Sequence, residues 1–189
     1  MERNSSFRSD EILELYGDLS PSEDEIRWTV VHTKPKREKK LAEHALKNHI
    51  FYYLPLMESV RVYQYRKVTF TKPMFSGYFF VKCSFQQQQV LINSGHIVNF
   101  LKIDSESEFL NDLHQIKYTR DMQAEFCPHP YLESGLTVKF TKGPFKGVSG
   151  LIKEVSRSNE VVLQIKMLRQ AVSMKADPAD LVIIQPYED

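Results

Sequence analysis

The side chains of this 189-residue chain that could do chemistry are cations and aromatic rings. Lys34, Lys36, Arg37, Lys39, Lys40 and Lys47 crowd one short stretch, and Arg61, Arg66 and Lys67 form a second basic group. Such groups attract phosphate backbones, an interaction that weakens with salt and by itself reads no base sequence. An aromatic block follows, Phe75-Ser76-Gly77-Tyr78-Phe79-Phe80-Val81, of the kind that either fills a sheet core or anchors a partner. Gln86-Gln87-Gln88-Gln89 then presents four uncharged tips that donate and accept hydrogen bonds.

Groups that would carry catalysis are not arranged for it. The six histidines (His32, His44, His49, His96, His114, His129) show no ligand spacing with carboxylates, and His44 and His49, five apart, fall off one helical face. Cys83 and Cys127 stand far apart with no C-x-x-C, so neither a disulfide framework nor a cysteine zinc site is expected. No G-x-S-x-G, H-E-x-x-H, G-x-x-x-x-G-K or G-x-G-x-x-G motif occurs. The expectation is a binding protein without cofactor or metal, not an enzyme.

The formal net charge of +1 hides an uneven distribution. Residues 1–26 hold 2 basic and 8 acidic side chains, residues 27–122 hold 15 and 8, and residues 123–189 hold 8 and 8. The middle block is therefore net +7, and a near-neutral total does not exclude a nucleic-acid partner. Hydrophobic content of 42% with 26% charged residues fits a folded globular chain, long enough for two small domains. The opening Met1-Glu2-Arg3-Asn4 lacks the apolar core of a signal peptide, and no run approaches the ~20 apolar residues of a membrane helix. A cytoplasmic monomer is expected.

The elements that must hold these residues read in order. Within the acidic extension, Ile12, Leu13, Leu15, Tyr16 and Leu19 fit one short amphipathic helix. Trp28–Val31 is a strand, and Lys34-Pro35 opens a helix, since proline suits a first helical position. Leu41, Ala42, Ala45 and Leu46 give that helix an apolar side and leave the cations on the rest. Phe51 to Tyr65 is extended, with a hairpin tip at Tyr65-Arg66-Lys67. Gly77–Val81 is a buried strand, Gln86–Asn93 a short helix and Ile97–Ile103 a strand. Ser105 with Glu108 has the capping-box form ahead of a helix through Phe109, Leu110, Leu113 and Ile116. Residues 123–134, with Pro128 and Pro130, read as a linker. Beyond them four glycines (Gly135, Gly143, Gly147, Gly150) punctuate short β-rich runs, the pattern of a small barrel. The fold class is α+β: residues 27–122 an antiparallel sheet with helices packed on it, residues 135–187 a β-barrel.

In its ordered motifs the chain resembles the NusG family of transcription factors. Trp28-Thr29-Val30-Val31-His32-Thr33-Lys34-Pro35-Lys36-Arg37-Glu38-Lys39-Lys40 resembles the opening of the family's N-terminal (NGN) domain, and Tyr53-Leu54-Pro55-Leu56 its next strand. Pro73-Met74-Phe75-Ser76-Gly77-Tyr78-Phe79-Phe80-Val81 resembles its P-L-F-P-G-Y-x-F-V block. Gly135-Leu136-Thr137-Val138 with Gly143-Pro144-Phe145-Lys146-Gly147-Val148-Ser149-Gly150 resembles the KOW motif of its SH3-like C-terminal barrel. Ser76 replaces the usual proline, and Leu168-Arg169-Gln170 stands where housekeeping members carry a glycine turn. With the acidic extension, these departures are similar to the operon-specific antiterminators of the RfaH and capsule-locus type.

The resemblance implies a factor that binds RNA polymerase across its cleft and suppresses pausing or termination. Phe75, Tyr78, Phe80 and Phe100 match the pocket for the clamp helices, and Gln87, Gln88 and Gln89 the contact with the gate loop. Strand alternation puts Tyr78 and Phe80 on one face and Phe79 and Val81 on the other, leaving sheet core and partner groove both open for these rings. The implied surface for upstream or non-template DNA is Lys36, Arg37, Lys39 and Lys40 with Arg61, Arg66 and Lys67. Phe140 and Phe145 match positions through which the KOW domain recruits a small-subunit ribosomal protein or the termination factor Rho. The alternative is an RNA-binding KOW protein of ribosomal type, against which the neutral charge of residues 123–189 weighs.

Overall fold

The computed structural model describes residues 12–63, 66–129, 135–152, 160–165 and 168–187. In chain order the elements are β1 (Leu15–Tyr16), β2 (Arg27–Thr33), α1 (Glu38–Lys47), β3 (Phe51–Tyr53), β4 (Leu56–Tyr63), β5 (Arg66–Pro73), β6 (Tyr78–Cys83), α2 (Phe85–Asn93), β7 (Ile97–Leu101) and α3 (Glu106–Asp121). They continue with β8 (Phe126–His129), β9 (Gly135–Phe140), β10 (Ser149–Ile152), β11 (Glu160–Ile165), β12 (Gln170–Lys175) and β13 (Leu181–Tyr187). The α+β class expected from sequence is what these elements form. They fall into two compact units: residues up to Asp18 with Ser22–Leu54 and Ser76–Leu101, and Leu19–Pro21 with Pro55–Phe75 and the chain from Lys102 onward. The sequence drew its boundary after residue 122; by contact, the β4–β5 hairpin and α3 go with the C-terminal strands.

The first unit is built on an antiparallel sheet in the order β1-β3-β6-β2-β7. Aromatic and β-branched residues favour β6, and both of its faces are closed: Phe79, Phe80 and Val81 have no measurable exposure. Helix α1 packs Leu41, Ala42 and Ala45 inward, next to β3, β6 and α2. It begins at Glu38, not beside Pro35. Lys34 C=O accepts the Arg37 N–H (3.1 Å), with Pro35 second in that turn and Lys36 third at φ +60°. This is the type II arrangement, in which proline presets the second position and the third needs positive φ. The helix ends with Ile50 N–H on Ala45 C=O (2.9 Å) and His49 N–H on Leu46 C=O (3.1 Å), a Schellman pattern with His49 at φ +54° in the place glycine usually takes.

The helix expected around residues 12–19 is not formed; Leu15 and Tyr16 pair with Tyr53 and Tyr52 as β1. Tyr16 packs edge-on to Phe51, and Tyr52 Oη donates to Leu13 C=O (2.8 Å). A helix that short is marginal in water, whereas the free edge of β3 satisfies the backbone directly. Residues 1–11 of the acidic extension, and the Gln64-Tyr65 part of the expected hairpin tip, lie outside the described residues.

In the second unit β4 and β5 form a hairpin in register from Leu56↔Pro73 to Tyr63↔Arg66, so Arg66 and Lys67 belong to the returning strand. The other six strands order as β13-β9-β10-β11-β12-β8. The meander β9 to β12 with β13 beside β9 has the strand order of the expected barrel, but no pairing among the described residues closes the ladder. Part of the expected linker supplies the difference: Phe126–His129 is β8, in register with Met174 to Ala171. An edge strand tolerates Pro128, which has no N–H to offer a further neighbour. Residues 130–134 of that linker lie outside the described residues. Helix α3 buries Phe109, Leu110, Leu113, Ile116 and Thr119 and packs on β11. Gln115 Oε1 accepts the Ser149 N–H (2.7 Å) and Tyr118 Oη donates to Pro144 C=O (2.9 Å).

Candidate nucleic-acid interface

The cationic surface of the first unit is assembled from three segments. The turn before α1 supplies Lys34 and Lys36, the helix supplies Arg37 at its N-cap with Lys39, Lys40 and His44, and the residue just ahead of β7 is His96. Lys34 N–H donates to His96 C=O (2.8 Å), and His44 Nε2 donates to Val90 C=O (3.1 Å), tying α1 to α2. Lys34, Lys36, Arg37 and Lys40 are exposed, and among the described residues none of them has a carboxylate partner. Burial first, then Arg37, Lys40, His44 and Lys34 in that order, hold the His96 imidazole below its ordinary pKa. Cations that disfavour protonation of a neighbouring imidazole also attract anions.

Helical spacing sorts the basic residues. Arg37, Lys40 and His44 follow i, i+3, i+7 along one side of α1. Lys36 projects from the left-handed position of the preceding turn, and Lys39 is half-buried. In the second unit Arg61, Arg66 and Lys67 are exposed on the hairpin, and the Arg61 guanidinium lies 5.0 Å from the centroid of the Phe70 ring.

The aromatic positions are not equivalent. Phe75 (2% exposed) and Phe80 (0%) are buried, whereas Tyr78 and Phe100 are half-exposed. Tyr78 stacks on His32 at a centroid distance of 5.5 Å. Register places Phe100 opposite Val31, which is also opposite Phe79, while Tyr78 and Phe80 stand opposite His32 and Val30. Phe100 therefore shares the sheet face of Phe79, not that of Tyr78 and Phe80.

The glutamine run is largely spoken for. Ser84 Oγ accepts the Gln87 N–H (3.3 Å) and Gln87 Oε1 accepts the Ser84 N–H (2.9 Å), a complete capping box at the start of α2. That box was readable as S-x-x-Q. Gln88 hydrogen-bonds the Cys83 thiol, whose pKa burial pushes up to about 12 against that bond. Gln89 is exposed. In the C-terminal sheet Phe140 is core, with Phe145 half-exposed and edge-on to it at 5.7 Å. His96 escaped the sequence reading because nothing in the spacing links it to α1; only the fold brings them together.

Residues 26–115 match the family model described as "Transcription termination factor nusG". That segment is similar to the NusG family. No curated protein matches the chain. Among solved structures, a chain of the crystal structure of the MjSpt4:Spt5 complex in conformation B is similar at 16% identity over 86% of this chain and 99% of that one, with a TM-score of 0.26, too low to carry an argument. Among the described residues no helix is long and apolar enough to cross a membrane.

Proposed function

We propose that this chain is a transcription elongation or antitermination factor of the NusG type. The observation that carries the reading is the family match across residues 26–115, the segment that contains the cations of α1 and the Tyr78 strand. In this reading Tyr78, Phe80 and Phe100 of the first unit's sheet, together with Phe75, contact the clamp helices of RNA polymerase, and Gln89 with Gln87 and Gln88 meets the gate loop. The basic residues Lys36, Arg37, Lys39 and Lys40, with Arg61, Arg66 and Lys67, hold upstream or non-template DNA. The C-terminal sheet is the KOW domain, recruiting a ribosomal protein or Rho beside Phe145, with Phe140 beneath.

The mechanism is binding without catalysis. A protein that touches both sides of the polymerase cleft favours the closed conformer, and the paused, termination-prone conformers lose population by mass action. Arg169, at φ +49° where glycine would be unstrained, with the acidic extension and Ser76, supports a specialised paralogue over a housekeeping factor. The test is a single-round transcription assay with purified polymerase on a template carrying a pause and a terminator. Added chain is expected to shorten the pause and raise read-through. No change in either, with tight binding to structured RNA instead, would favour the ribosomal-type alternative.

A further inference from the structure

Three observations single out the surface beside His96. Arg37, Lys40 and His44 form one row along α1, and the Lys34 N–H bond to His96 C=O (2.8 Å) ties the His96 backbone to the turn that leads into that helix. The turn carrying His96 is set by Gly95 at φ +71°, a conformation open to glycine without strain, with Gly95 N–H on Ile92 C=O (3.0 Å). Among the described residues, the charged groups acting on His96 are all cationic: Lys34 from the turn, and Arg37, Lys40 and His44 from α1. Glu38, the carboxylate next to Arg37, is buried and accepts the Gly77 N–H (2.7 Å).

We propose that Lys34, Arg37, Lys40, His44 and His96 form a phosphodiester seat in which His96 takes up a proton as the nucleic-acid backbone binds. This rests on the nucleic-acid part of the function proposed above and says which residues do the work. In the free protein partial burial, and then the surrounding cations, favour the neutral form of His96. A phosphate oxygen placed among those cations cancels their repulsion and gives the imidazolium N–H an acceptor. One proton is gained, from solvent, and no covalent bond changes. Affinity must then rise as the pH falls, because the bound state holds more protons than the free one. His44 is held in the row by its Nε2–H bond to Val90 C=O (3.1 Å). Lys36 and Lys39 lie off the row and contribute charge only.

The test uses the full chain and a short labelled DNA duplex, titrated at constant ionic strength from about pH 8 to about pH 6, across the ordinary imidazole range. Wild type is expected to bind roughly three- to tenfold more tightly at the acidic end, since one linked proton caps the gain at tenfold per pH unit. His96→Gln should lose most of that gain. Lys36→Gln should weaken binding at every pH and keep the slope. By NMR, the His96 ring titration should move to higher pH on adding the duplex, and also in free Arg37→Gln. An unchanged pH slope in His96→Gln, with normal binding, overturns the seat and leaves the DNA surface standing. No binding by wild type at low salt overturns both.

Discussion

Reversing Lys36, Arg37 and Lys40 together to glutamate is the sharpest perturbation of the cationic surface. All three are exposed, and none has a carboxylate partner among the described residues, so the change breaks no ion pair and buries no charge. Surface changes of this kind shift stability by about 0.5 kcal/mol or less each. Each phosphate neutralised on duplex DNA contributes about 0.9 to the slope of log affinity against log salt. Loss of three contacts should therefore lower the slope by about 2.7, and binding between 50 and 200 mM salt should fall about 40-fold less steeply than in wild type. The assay is fluorescence anisotropy with a labelled duplex across a salt series, with circular dichroism to confirm the fold. A variant that binds with the wild-type slope would refute the assignment of these cations to phosphate.

Three further outcomes follow from the geometry. Tyr78→Ala removes a half-exposed ring stacked on His32 and should abolish retention by immobilised RNA polymerase while leaving a cooperative melt; Phe75 is buried, so Phe75→Ala should instead cost about 3–5 kcal/mol in a denaturant titration. Gln123 closes α3 at φ +59°, with Ala124 N–H on Thr119 C=O (3.1 Å), so Gln123→Gly should stabilise the chain by about 0.5–1 kcal/mol, read as a higher melting temperature. His96 has a lowered folded-state pKa, so the unfolded chain binds more protons as the pH falls through the ordinary imidazole value of about 6.5. Stability without nucleic acid should drop through that window, and His96→Gln should reduce the drop in urea titrations at matched ionic strength.

What was legible in the sequence was local. The aromatic strand at Tyr78–Cys83, the amphipathic α1 and the apolar face of α3 follow from residue type and period alone. Elements decided by a distant partner were not legible. Leu15 and Tyr16 are a strand because β3 offers an open edge, and Phe126–His129 because β12 does. Pro35 was misread because it serves a type II turn as well as a first helical turn; the positive φ of Lys36 distinguishes the two. Basic residues of the candidate surface were visible as a run. The row within that run, and the histidine beside it, depended on a turn and a strand brought in from elsewhere in the chain. Ring alternation correctly separated Phe79 from Tyr78 and Phe80, but the face of Phe100 required the β2–β7 register.

Action on transcribing RNA polymerase is tested by retention of the chain on a reconstituted elongation complex. Immobilised complex, washed at moderate salt, should hold the chain at near one-to-one stoichiometry, and Tyr78→Ala should wash off. Wild-type chain that washes away with Tyr78→Ala, at every salt concentration, would rule out a polymerase-bound factor.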